Sequence, residues 1–318
     1  MLENVDRLLK SPAKRRGRDF GIILASLADL GYAVEWRVIN AGEYGLPQRR
    51  RRIFILGYKK NTSIFRSMKR SGPTDWLAHN GTIAKAFPVK YSGNQTLLSE
   101  EIRGSLVDIT ERFYHRFENA GLMIDRKFVT LRTRPEYSGP KMTLGSILLP
   151  AEKVPKEYFI NSQELGRWEY LKGAKREKRA SKSGFKYTYN EGPVKFPELL
   201  SEPSRTVITG EGGATPSRFK HVVKQGQLYR RLTPIELERL CMFPDDHTAH
   251  PQVGDVKRAF FMGNALVVGV IERLGRTLLM MHREPNTPGR IYGHAQRPAS
   301  NGLLSRIPKS SIRASRVS

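Results

Sequence analysis

The residues best suited to chemistry fall in a few short stretches of the chain. In Gln48-Arg49-Arg50-Arg51-Arg52, which runs into Ile53-Phe54-Ile55-Leu56, alternate side chains of a strand end point one way, so Arg50 and Arg52 share a face. Guanidinium groups stay charged and offer a planar fork of donors, which suits a phosphate or a polar base edge. Read alone, the four arginines are equally a plain phosphate grip. Around Gly210-Glu211-Gly212-Gly213, the cations Arg205, Arg218 and Lys220 flank a flexible turn, either a DNA-contacting loop or an ordinary connection. Gly263-Asn264-Ala265 reads as a turn into a helix, with Asn264 as its N-cap. Glu3, on residue type alone, is an ordinary terminal acid. The one cysteine, Cys241, excludes a disulfide framework and a CxxC zinc site, and no metal is expected. It follows Leu237 and Leu240 at helical spacing and reads as a small apolar side chain.

The elements that must hold these residues are partly legible. Phe20, Ile23, Leu24, Leu27 and Leu30 predict a helix over 19–30, stopped by Gly31. Strands are expected over 32–39 and 53–58, the second an apolar run of buried type. The middle is less regular, with a helix near 81–87 and a short strand at 206–209. Residues 172–186 hold seven basic residues and one acidic one, which reads either as a loop that orders on a polyanion or as solvated surface. Thr233-Pro234-Ile235-Glu236 is a capping box with proline at the first helical position. A last helix is expected over 265–281, with Leu266, Val270, Leu274 and Leu278 facing the core. Beyond it, the Pro-, Gly-, Ser- and Arg-rich stretch reads as a disordered basic tail.

Charge names the partner. The 318-residue chain carries a formal net charge of +25, and nucleic acid is the obvious polyanion for it. Ribosomal-type RNA binders, membrane-surface proteins and merely solvated surfaces can be as basic. Basic residues outnumber acidic ones in 1–60, 61–230 and 231–318 alike, so the field is not that of one tail. No stretch approaches the run of ~18–20 apolar residues that a membrane span needs, and the start lacks a signal-peptide pattern. A cytoplasmic location is expected, in keeping with the lone thiol.

Four blocks, in this order, resemble those of the DNA cytosine-5 methyltransferase family. They are Glu3-Asn4-Val5; Tyr44-Gly45-Leu46-Pro47-Gln48-Arg49-Arg50-Arg51-Arg52; Arg231-Leu232-Thr233-Pro234-Ile235-Glu236, continuing to Phe243-Pro244-Asp245; and Met262-Gly263-Asn264-Ala265-Leu266-Val267-Val268. The resemblance covers residues 1–282 and implies the C-terminal half of such an enzyme, acting on double-stranded DNA with S-adenosylmethionine. It implies an α/β fold, a partial doubly wound sheet with a mostly irregular or β target-recognition domain. The boundaries it suggests are 1–60 for the catalytic part, 61–228 for recognition, 229–282 for the helical return and 283–318 for the tail. It implies that Glu3 holds the cytosine N3 edge and supplies a proton, that Arg52 steadies O2, and that Arg50 supports the nucleophile and DNA backbone. Asn264 and the Ala265 backbone would line the cofactor pocket, and Arg239 would hold the recognition domain in place. Gln48, Arg205, Arg218 and Lys220 are the expected DNA contacts. Two family features have no counterpart here, a Phe-x-Gly-x-Gly cofactor loop and a Pro-Cys block bearing the nucleophile. The chain is therefore expected to need a separate N-terminal methyltransferase subunit, to be a truncated remnant, or to bind DNA without chemistry.

Overall fold

The computed structural model describes residues 1–91, 97–181 and 184–283, and the expected basic tail lies outside them. Strand β1 (Leu2–Val5) is followed by helix α1 (Arg18–Asp29), which buries Phe20, Leu24, Ala25 and Ala28. Gly31, at φ +76°, takes the left-handed turn that carries the chain into β2 (Tyr32–Asn40). Strand β3 (Arg51–Lys59), helices α2 (Ser63–Ser71) and α3 (Thr82–Ala86), β4 (Leu98–Glu101), α4 (Leu106–Arg112), β5 (Ala120–Ile124) and β6 (Lys127–Leu131) follow. Together these strands form one sheet in the order β1-β3-β2-β5-β6-β4, with every neighbouring pair antiparallel.

The α/β class is the expected one, built on a central antiparallel sheet. The sheet runs past the boundary drawn at residue 60, because β4, β5 and β6 extend it beyond β2. Strands β5 and β6 join through Asp125 and Arg126, both at positive φ (51° and 62°), the two-residue turn whose twist suits a tight hairpin. Both faces of the central strands β2 and β3 are covered, which explains their near-continuous apolar runs. Val34, Trp36, Ile53 and Ile55 pack with α1 on one side, while Ala33, Phe54, Leu56 and Tyr58 pack with Phe65, Trp76 and Phe87 on the other. A Cβ at Gly121 would lie 2.0 Å from the Trp36 ring, so only glycine lets the indole lie across β5.

Farther along come helix α5 (Ser162–Lys172) and the paired strands β7 (Lys175–Ala180) and β8 (Lys186–Glu191). A second pair, β9 (Val222–Gln225) and β10 (Leu228–Arg231), precedes α6 (Pro234–Leu240), α7 (Asp255–Asn264) and α8 (Val268–Arg283). A third core gathers Leu144, Val207, Val223, Leu237, Leu240, Cys241 and Met262.

Four expectations are corrected here. The basic stretch at 172–186 is not a loop: it ends α5 and builds most of the β7–β8 hairpin. Residues 206–209 form no strand, because their polar atoms bond the segment at Gln48 to Arg50 instead of a ladder. The last helix begins at Val268, not Ala265. An unforeseen helix, α7, precedes it, and Asn264 ends that helix and caps nothing downstream. Its start at Gly254 supplies no side-chain cap, and Phe260 and Phe261 point outward, so neither capping nor periodicity announced it.

Candidate functional site

Antiparallel pairing puts the end of β1 opposite the beginning of β3, with Val5 across from Arg52. On that frame Arg52 Nε lies 3.1 Å from Glu3 Oε1, with both side chains partly exposed (19% and 28%). One residue before β3, Arg50 turns inward and is buried. Its Nη1 donates to Val207 O at 3.0 Å and its Nη2 to Gly263 O at 2.8 Å, while Nε has no partner among the described residues. Burial pulls the Arg50 pKa below the usual guanidinium value. Segments separated by more than two hundred residues thus meet at one guanidinium. The result is a carboxylate–guanidinium pair open to solvent, backed by a second cation locked to main-chain carbonyls.

The residues expected at DNA divide differently. Gln48 is wholly buried; its Oε1 accepts from Val207 N at 2.9 Å and its Nε2 donates to Leu240 O at 3.2 Å. Its expected role as a DNA contact is corrected: it is a strut between the sheet and α6. Lys220 is buried too, donating to Gly213 O and Thr215 O, both at 2.9 Å, so it closes the glycine turn from inside. Arg205 is held by Glu198 at 2.5 and 2.7 Å, and Arg218 by Glu191 at 2.9 Å and by the carbonyls of Leu171 and Gly173. All four residues expected from the sequence to contact DNA make internal contacts. Arg239 donates to Asp245 and, at 3.1 Å, to Ile147 O, tying α6 to the segment before it.

Asn264 is exposed, its amide donating to Phe260 O at 3.2 Å, and Ala265 is half-buried. Gly263 packs hard against residues 208–209, where a Cβ would lie 2.2 Å from Thr209 N. The turn therefore leaves one amide and one stretch of backbone accessible, with the glycine serving packing.

Two other constellations fail as nucleophiles. Cys241 is fully buried, its Sγ 3.5 Å from Gln48 Nε2, and burial pushes its thiol pKa up. Thiolate chemistry needs the opposite setting. Ser204, His221 and Glu211 line up like a hydrolase triad, with 2.9 Å from Ser204 Oγ to His221 Nε2 and 2.7 Å from Nδ1 to Glu211. All three are buried, however, and the Ser204 hydroxyl donates to Arg205 O at 2.7 Å, so no substrate carbonyl reaches it.

Sequence reasoning missed a cleft of about 590 Å³ at the same end of the sheet, where β2 ends and β5 begins. Arg16, Arg37, Arg51, Arg116, Arg132 and Arg134 line it, outnumbering the carboxylates of Asp6, Glu43 and Glu118. Arg51 is paired to Asp6 at 2.8 Å, whereas Arg132 and Arg134 are exposed. These arginines come from five separate segments, which is why no run in the sequence marks them.

Residues 1–280 match the family model described as C-5 cytosine-specific DNA methylase. Over 279 residues the chain is 41% identical to the type II methyltransferase M.Sau3AI of Staphylococcus aureus, covering 87% of this chain and 66% of that protein. It is 43% identical over 65 residues to the type II methyltransferase M.NlaIV of Neisseria lactamica, 19% of this chain and 15% of that one. The chain thus spans just under two thirds of the first relative's length and a small part of the second's. The solved structure of the Entamoeba histolytica methyltransferase EhMeth aligns with a TM-score of 0.46 at 12% identity, over 89% of this chain and 62% of that one.

Proposed function

The chain belongs to the C-5 cytosine-specific DNA methylase family, and from that premise we propose that it is the base-pocket and target-recognition part of a type II DNA cytosine-5 methyltransferase. The observation that carries this reading is the Glu3–Arg52 pair, 3.1 Å apart and partly open to solvent where the end of β1 meets the start of β3. A cytosine must leave the helix stack before C5 can be methylated, and its Watson–Crick edge must then be held. Glu3 suits the N3 position, where it would hold or pass a proton and so make C6 electrophilic. Arg52 orients that carboxyl group and offers its remaining donors to O2. Arg50 keeps the 207 and 263 segments against this edge. The arginine-lined cleft at the same end of the sheet would give the DNA backbone a track.

S-adenosylmethionine supplies the methyl group, and Asn264 with the Ala265 backbone would hold one side of it. The attacking thiolate is the piece for which this chain has no candidate, since its one cysteine is sealed in the core. The reading therefore leaves the cysteine and the cofactor loop to a part of the enzyme outside these 318 residues, on the same polypeptide or on another. The test is transfer of label from S-adenosylmethionine to duplex DNA, by this chain alone and with the upstream reading frame co-expressed. Activity only in the mixture is the expected result. Glu3→Gln should then lower turnover about 100-fold or more, the scale of losing a general acid. Activity of the chain alone would sink the assignment of the nucleophile. Silence in both, with DNA binding intact, would leave a DNA-binding protein without chemistry.

A further inference from the structure

The β7–β8 hairpin has two faces of opposite character. Strand alternation puts Lys175, Glu177 and Arg179 on one face with Tyr187, Tyr189 and Glu191. That face is internally satisfied. Arg179 bonds Glu177 at 2.8 Å and stacks on the Tyr189 ring at 3.7 Å, and Lys175 lies 4.0 Å from Glu191. The other face carries Arg176, Lys178 and Lys186 with Thr188 and Asn190, and no acid. All five are exposed, and none has a side-chain partner among the described residues. Arg176 sits directly opposite Asn190, and Lys178 opposite Thr188.

The hairpin is also well mounted. At its base Arg218 bonds Glu191 and the carbonyls of Leu171, Gly173 and Gly192, and Val194 N bonds Lys172 O at 2.8 Å. Above the base the two strands pair with each other and with no further strand. Six-residue strands reach roughly 17 Å, and a two-stranded ribbon is of a size to enter the DNA major groove. We propose that this hairpin enters the major groove of the target duplex, with Arg176 and Asn190 reading base edges and Lys178 and Lys186 gripping phosphates. Arginine and asparagine each present paired hydrogen-bonding atoms that match guanine and adenine edges, whereas lysine acts as a point charge. This deepens the proposed function, and it rests on double-stranded DNA being the substrate.

The test is selection of a random-sequence duplex pool by the full chain, followed by salt titration on the enriched duplex. Wild type should enrich a short motif. Arg176→Ala with Asn190→Ala should lose preference at one or two positions of it, each by about tenfold, while non-specific binding stays. Lys178→Ala with Lys186→Ala should weaken all duplexes alike and reduce the slope of log affinity against log salt by about 2. Among the described residues these exposed side chains have no hydrogen-bond or ion-pair partner, so an unchanged melting temperature is expected for both variants. An unchanged motif together with an unchanged salt slope would overturn the hairpin's role and leave the methyltransferase reading standing. No DNA binding by the wild-type chain, or by its active mixture, would overturn both.

Discussion

At the scale of single residues, two buried carboxylates respond to pH in opposite directions. Burial raises the Glu211 pKa, but the His221 charge and hydrogen bonds from His221 and Ile208 N more than reverse this, leaving it below the usual range. Such a group adds stability above its unfolded value and loses it as pH falls through the lowered native one. Wild type should therefore weaken on acidification below roughly pH 4–5, and Glu211→Gln should lose part of that slope in urea melts. Glu211→Ala should cost about 3–5 kcal/mol, because it strands His221 in the core. Glu35 is the reverse case. Burial pushes its carboxyl above the usual range, although Tyr58 at 2.5 Å and Trp76 at 2.9 Å both bond to it. Its contribution is complete at acid pH and fades as pH rises through the raised native value. Glu35→Gln should flatten that fall, and an unaltered pH profile would show that the carboxyl titrates elsewhere.

At the scale of elements, α6 shows what local sequence can specify. Thr233 and Glu236 form the capping box expected from their spacing, and Thr233→Ala should cost about 1 kcal/mol. What spacing did not reveal is that Glu236 is also buried against Arg230, with bonds of 2.7 and 2.9 Å. Arg230→Ala should therefore destabilise by about 3–5 kcal/mol, well beyond the cap itself, in the same denaturation series. Strand β1 is the other telling element. It is an edge strand whose Leu2 and Val5 are exposed (51% and 46%), a pattern prone to pairing with another strand. Where a preceding segment or a partner chain covers this edge, its addition should sharpen and raise the melting transition of residues 1–318. A sharp cooperative melt of residues 1–318, not raised by such an addition, would count against an uncovered edge.

At the scale of the whole molecule, +25 of net charge should govern association. Affinity for duplex DNA should fall steeply and linearly on a log–log plot against salt, with a slope near −0.9 per phosphate contact. A flat salt dependence would mean that the positive field serves something other than nucleic acid. Gln48, Arg205, Arg218 and Lys220, the DNA contacts expected from sequence, all bond internally, and Gln48 and Lys220 are buried. Under the proposed reading, the exposed arginines of the cleft and the outer face of the hairpin take that role.

Sequence alone determined the family, the α/β class, helix α1, strands β2 and β3, the α6 cap and the inert setting of Cys241. Each of these rests on local spacing or on a block read in order, and local preference acts over a few residues. Only tertiary structure decided which polar groups are spent. Whether an arginine meets a phosphate or a carbonyl depends on what the chain folds against it, as Gly263 does at Arg50. The antiparallel extension of the sheet, helix α7 and the two-faced hairpin were hidden for the same reason: their partners are set by long-range pairing, which no short window of sequence contains.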